Sequence, residues 1–191
     1  MNDSIRSFIA VPLSRALQQI VVKAQTELKK LDMDVKWVEP ENIHLTLKFI
    51  GNVNPEKITQ LKTVMIALYK DVKAIKTRVH HSLGAFPDSR RPRIIWISLE
   101  DKQSQIKGLA TSLNNGLGKI GYQKDPKAFK SHITLGRVRS PRNTGALAQT
   151  IHGYTLGRDL WEQLNRIVLF KSTLTPSGPV YEPLHTVNLQ E

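Results

Sequence analysis

The sequence predicts an α+β fold built as two similar lobes, and three observations point there. Short β-rich runs alternate with amphipathic windows of helical period. A seven-residue pattern occurs twice, once in each half of the 191-residue chain. No linker or low-complexity stretch divides the chain, so residues 1–191 read as a single domain long enough to bury a full core.

The elements follow in order. Phe8 to Leu13 reads as a strand, and Ser14 is placed to cap a helix running to about Leu31, where Leu17, Ile20, Val21, Ala24 and Leu28 recur at helical spacing. Val35 to Val38 is a short extended piece and His44 to Ile50 a strand. Asn54-Pro55 opens a second helix, with proline at the first helical position, that buries Ile58, Leu61, Val64, Met65 and Leu68 and ends near Val72. Strands are predicted at Ile75–Leu83 and Ile94–Leu99, around a turn-rich stretch holding Gly84, Pro87 and Pro92. A third helix is predicted over Lys102–Leu117, with Gly118 just past its end. His132–Val138 is a strand, Asn143–Ile151 a short helix, and strands Arg166–Phe170 and Tyr181–Val187 close the chain around Pro176–Pro179.

Composition narrows the function. A hydrophobic share of 40% with 23% charged residues excludes a disordered chain, and no apolar run approaches the roughly 20 residues of a membrane span. The N-terminus lacks a long apolar segment of the secretory kind, and the absence of cysteine excludes disulfides, thiolate nucleophiles and cysteine-based metal sites. A cytoplasmic address fits, and a monomer is expected because nothing suggests an extended apolar seam. The net charge of +12 attracts polyanions, so nucleic acid or a nucleotide is the expected partner.

The chemistry is carried by the repeated pattern. His44-Leu45-Thr46-Leu47 and His132-Ile133-Thr134-Leu135 share the form His-x-Thr-Leu, and both end on an aliphatic residue at the seventh place, Ile50 and Val138. A shuffled chain of this composition would hold roughly 0.05 such strings, so two require a cause. On a strand, residues two apart share a face, which sets His beside Thr and sends Leu45, Leu47, Ile133 and Leu135 into the core. Two such strands across a cleft would surround one small anion with two imidazoles and two hydroxyls. Histidine titrates near pH 6.5, so one neutral ring can take a proton from water while a cationic ring gives one to a leaving oxygen. The hydroxyls can donate to phosphate oxygens as charge develops on them. Two histidines fall short of the three protein ligands of a catalytic zinc, and no carboxylate cluster joins them, so no metal or other cofactor is expected.

With these motifs stand Phe8-Ile9-Ala10-Val11, Asn42-Ile43, Gly84-Ala85-Phe86-Pro87, Pro92-Arg93-Ile94-Ile95-Trp96 and the tail Leu169-Phe170-Lys171-Ser172 with Gly178 and Tyr181. In that order they resemble the two-histidine (2H) phosphoesterase superfamily, and more closely the bacterial and archaeal RNA 2′,3′-cyclic phosphodiesterases, also called 2′-5′ RNA ligases. The resemblance implies two pseudo-symmetric lobes, each a small mainly antiparallel sheet flanked by helices, facing a central cleft. It implies hydrolysis of RNA 2′,3′-cyclic phosphate ends to 2′-phosphates, with His44 as proton donor, His132 as proton acceptor, and Thr46 and Thr134 on the phosphate. The sequence does not order the two histidines, because the motifs are nearly symmetric. One departure stands out: the family commonly has proline where this chain has Ser131.

Phe49 and Arg137 stand five residues after each His, an odd spacing that in a flat strand turns them away from it. A bulge or strand end would bring them to the cleft, where ring and guanidinium could hold a base, the use the resemblance favours; otherwise Phe49 is core and Arg137 a solvated charge. His80 and His81 read as surface or edge residues, and His152 and His185 lack recognisable partners. The clusters Arg90, Arg91, Arg93 and Lys124, Lys127, Lys130 are solvated loops or phosphate contacts, and Trp37, Trp96 and Trp161 are packing residues. Alternatives to hydrolysis of RNA ends are 2′-5′ joining of RNA halves, hydrolysis of a small cyclic nucleotide or an ADP-ribose cyclic phosphate, and a non-catalytic RNA-binding module, which would be expected to have lost a motif His or Thr.

Overall fold

The structure, a computed structural model, describes residues 4–154 and 160–191; the side chains of His81, Ser82 and His152 also lie outside the described set, and with them the expectations for His81 and His152. The elements are β1 Ile5–Pro12, α1 Arg15–Lys29, β2 Val35–Trp37, a 3₁₀ turn Pro40–Asn42, β3 His44–Val53, α2 Pro55–Tyr69, β4 Ile75–Phe86, β5 Ile94–Leu99, α3 Gln105–Lys119, β6 Ile133–Val138, α4 Thr144–Gly153, β7 Trp161–Leu164, β8 Arg166–Thr175 and β9 Gly178–Asn188. The expected α+β class is observed, and every pairing between the named strands is antiparallel.

The strands run in the order β7-β4-β5-β6-β3-β1-β8-β9, with β2 added beside β6. The middle is thin. β3 and β6 share a single paired position, Leu45 opposite Ile133, and this seam divides two lobes. One lobe holds β3, β1, β8 and β9 with α2 and α3 packed on it; the other holds β6, β5, β4, β7 and β2 with α1 and α4. Each lobe therefore draws on both ends of the chain.

The core forms as the periodicity predicts: Leu17, Val21, Ala24 and Leu28 of α1, Leu61 and Met65 of α2, and Leu113 and Leu117 of α3 are fully buried. Ser14 caps α1 by accepting from the Leu17 N–H at 3.2 Å, while its own N–H and hydroxyl donate to buried Glu162 at 2.8 and 2.6 Å. That carboxylate belongs to β7, a four-residue strand the sequence does not announce, and it fixes the start of α1 to the outer edge of its lobe.

Three expectations are corrected. Gly84 lies inside β4 and not in the turn, paired with Trp96 of β5, whose ring packs over it and leaves no room for a Cβ. α3 starts at Gln105, since the Asp101 carboxylate accepts from the Ile106 and Lys107 N–H groups and makes residues 101–104 the capping turn. It also runs through Gly118 to Lys119, and Gly121, at φ +88°, takes the left-handed conformation beyond its end. Trp161 is exposed rather than packed in the core, its ring covered by Lys76 and Arg78, each 5.0 Å from the centroid.

Candidate active site

β3 and β6 carry the two motifs to the seam. With Leu45 opposite Ile133, antiparallel register turns His44 toward Thr134 and Thr46 toward His132. All four side chains line one cavity of about 230 Å³.

Both strands bulge at the same place. Along β1, Ala10 faces Thr46 and Ile9 faces Lys48, so Leu47 is the extra residue. Along β5, Trp96 faces Thr134 and Ile95 faces Gly136, so Leu135 is the extra residue. An inserted residue reverses the alternation. Leu47 and Lys48 are therefore both buried, as are Leu135 and Gly136, and Phe49 and Arg137 return to the face of the histidines, where they line the cavity. Phe49 is 62% exposed, which excludes a core role.

The buried residues of the bulges are satisfied differently. Gln25 donates from one nitrogen to the Val38 and Leu135 carbonyls at 2.8 and 2.9 Å, holding the β6 bulge. On β3 the Lys48 ammonium, 4% exposed, donates to Asn114 and the Gln123 carbonyl and pairs with Asp125 at 2.9 Å. Lys48 thus anchors the segment that leads from α3 to the second motif.

The imidazoles are oriented alike. His44 Nδ1–H donates to the Asn42 carbonyl at 2.7 Å and His132 Nδ1–H to the Lys130 carbonyl at 2.8 Å, in each case two residues upstream. This leaves Nε2 as the acceptor of each neutral ring. His44 Nε2 receives the Thr46 hydroxyl at 2.9 Å, whereas His132 Nε2 has no partner among the described residues. Ser131, where the family commonly has proline, does not disturb this: the Lys130 carbonyl still orients the ring.

Burial pushes the His44 pKa down to about 4, the His132 and Arg137 charges adding to the effect and the Asn42 hydrogen bond opposing it. His132 is lowered for the same reason, with Arg137 and Lys130 contributing and the Lys130 carbonyl opposing. Aromatic groups enclose both rings. Phe8 lies 4.9 Å and the edge of Tyr181 5.5 Å from His44, and Phe86 stands edge-on 5.1 Å from His132. The Lys130 ammonium sits over Phe86 and Trp96 at 5.3 and 4.5 Å.

Sequence reasoning missed part of the wall. Lys36, Trp37, Val38 and Glu39 line the cavity from β2 and the residues after it, and Ser177, Gly178 and Pro179 from the β8–β9 turn. Asn42 donates to the Pro179 carbonyl at 2.9 Å, so the residue that orients His44 also pins that turn. Three-residue strands and hairpin tips carry no periodicity; only the place of Asn42, two before the His, was a signal. Arg90 and Arg91 donate backbone N–H groups to Asp88 in the exposed β4–β5 turn, and neither lines the cavity.

This geometry agrees with what the chain is similar to. The model of the LigT like Phosphoesterase family matches it twice, over residues 11–96 and 97–181, one His-x-Thr motif in each. The chain belongs to that family. It is 32% identical over 185 residues to the RNA 2′,3′-cyclic phosphodiesterase of Methanothermobacter thermautotrophicus, covering 97% of this chain and 99% of that one. It is 30% identical over 183 residues to the protein of the same name from Aquifex aeolicus, covering 93% of each. Among solved structures it resembles TT0787 of Thermus thermophilus, at 26% identity and a TM-score of 0.80 over 97% of this chain and 98% of that one. The fold is also that of E. coli LigT complexed with 3′-AMP, at 20% identity and a TM-score of 0.81 over 99% and 100%.

Proposed function

We propose that this chain hydrolyses RNA 2′,3′-cyclic phosphate ends to 2′-phosphates without a metal, acting as a cytoplasmic monomer. One observation carries the reading: two His–Thr pairs, each ring locked in the same tautomer by a carbonyl two residues upstream, face one cavity across a near-twofold seam. The names of the full-length relatives support the substrate. Two titratable rings beside two hydroxyl donors support acid–base chemistry.

His132 is assigned as base. Its Nε2 lone pair is unengaged among the described residues, and burial, helped by the nearby Arg137 and Lys130 cations, favours the neutral ring, so it can take a proton from an attacking water. His44 is assigned as acid toward O3′. It is neutral in the empty cleft and gains its proton as the anionic phosphate enters, since an adjacent negative charge favours the cationic ring. Thr46 and Thr134 donate to non-bridging oxygens, and Phe49 and Arg137 bind the terminal nucleotide, with the Phe49 ring against its base.

The test is a short RNA ending in 2′,3′-cyclic phosphate, turned over in EDTA by the parent, His44→Ala, His132→Ala and the double variant. Each single substitution is expected to cost about 10²–10⁴ in kcat/KM, and the double little more, because the two act as a unit. A loss under tenfold from either would overturn the assignment.

A further inference from the structure

The two motifs share their bulge, but one position within it differs, and that difference shapes the cleft. Where β3 has Lys48, β6 has Gly136. A Cβ at Gly136 would stand 2.5 Å from Val35 Cγ1 and 2.9 Å from the Trp37 ring, so only glycine lets β2 pair closely there. Among the described residues no strand joins β3 at the matching place. β2 is thus the element that breaks the pseudo-symmetry, and its register sets Lys36 directly opposite Arg137.

Two like charges on facing strand positions repel each other. Both are exposed, both line the cavity, and neither has an ion-pair partner among the described residues; Glu39 is the carboxylate sharing that wall. The opposite wall is aromatic, with Phe49 and Tyr181. A cavity of about 230 Å³ is far smaller than an RNA chain, so the rest of an RNA must leave along one rim. The cationic rim fits a backbone phosphate.

We propose that Lys36 and Arg137 form a subsite for the internucleotide phosphate preceding the cyclic end, which makes an RNA chain, rather than a cyclic mononucleotide, the preferred substrate. The proposal rests on the function proposed above. Two charge-assisted contacts to one phosphate replace the repulsion with attraction, and the asymmetry gives the entering strand a direction.

The test compares a nucleoside 2′,3′-cyclic phosphate with a dinucleotide ending in the same group, using the parent, Lys36→Met and Lys36→Arg. The parent should favour the dinucleotide. Lys36→Met should cut the dinucleotide-to-mononucleotide ratio of kcat/KM about tenfold, the value of one charged contact, and Lys36→Arg should restore it. Calorimetry with the nucleoside 2′-phosphate and the dinucleotide 2′-phosphate reads the same ratio without turnover. A ratio unchanged by Lys36→Met in both measurements, or a parent without preference, overturns the subsite. Selective loss of dinucleotide binding in a protein that hydrolyses neither substrate upholds the subsite and overturns the proposed reaction.

Discussion

His44 and His132 each spend one nitrogen on a carbonyl, which fixes the other as the working atom, and each sits where burial favours the neutral ring. The reaction needs one proton on the pair, while the empty enzyme sheds both below the usual histidine range. We therefore expect kcat/KM to fall about tenfold per pH unit above pH ~6.5, because this ratio reports the free enzyme. A plateau extending to pH 8 would contradict it. The same shift is a statement about folding. Unfolded, His44 takes up its proton near pH 6.5; folded, near pH 4, so the unfolded chain binds more protons between these values and stability falls as pH drops through that window. The loss attributable to His44 is at most ~3 kcal/mol. Thermal unfolding of His44→Asn should vary less between pH 6.5 and 4 than that of the parent, and an equal acid slope would refute the link.

The strand elements show what a one-dimensional pattern carries. His-x-Thr-Leu was legible twice because period-two alternation holds as far as Leu47 and Leu135. The side of the strand taken by Phe49 and Arg137 was not, since a bulge depends on how neighbouring strands pair and leaves no local signature. β7, and the place of β2 and the hairpin tip in the cleft wall, were illegible for a related reason: short pieces are held by partners distant in sequence, as Glu162 by Ser14 or Gly136 by Val35 and Trp37. Gly136→Ala tests this directly. The added carbon should force β2 outward at a cost of about 1–3 kcal/mol, read by chemical denaturation, and should weaken RNA binding by moving Lys36. A variant as stable as the parent would mean that β2 yields freely.

At the scale of the molecule, the chain interleaves its halves: β8 and β9 complete the lobe begun by β1 and β3, and α1 packs on the lobe of the second motif. The two-lobe plan was legible from the repeat, while this exchange was not, because the order of strands in a sheet is set by tertiary pairing. The exchange sets both motif strands at one seam, inside a protein of net charge +12. Binding of single-stranded RNA should accordingly weaken with salt, with log Kd rising against log salt by about 0.7 for each phosphate engaged, in titrations over a range of salt. Salt-independent binding would remove the electrostatic argument.

The central claim is a water-driven, two-histidine opening of a cyclic phosphate, and the product itself tests it most directly. An RNA ending in 2′,3′-cyclic phosphate would be turned over in ¹⁸O-labelled water with EDTA present, and the terminal phosphate located by mass spectrometry and nuclease digestion. The account predicts one labelled oxygen in a 2′-phosphate. An unlabelled product, a 3′-phosphate, or turnover that stops with EDTA would contradict it.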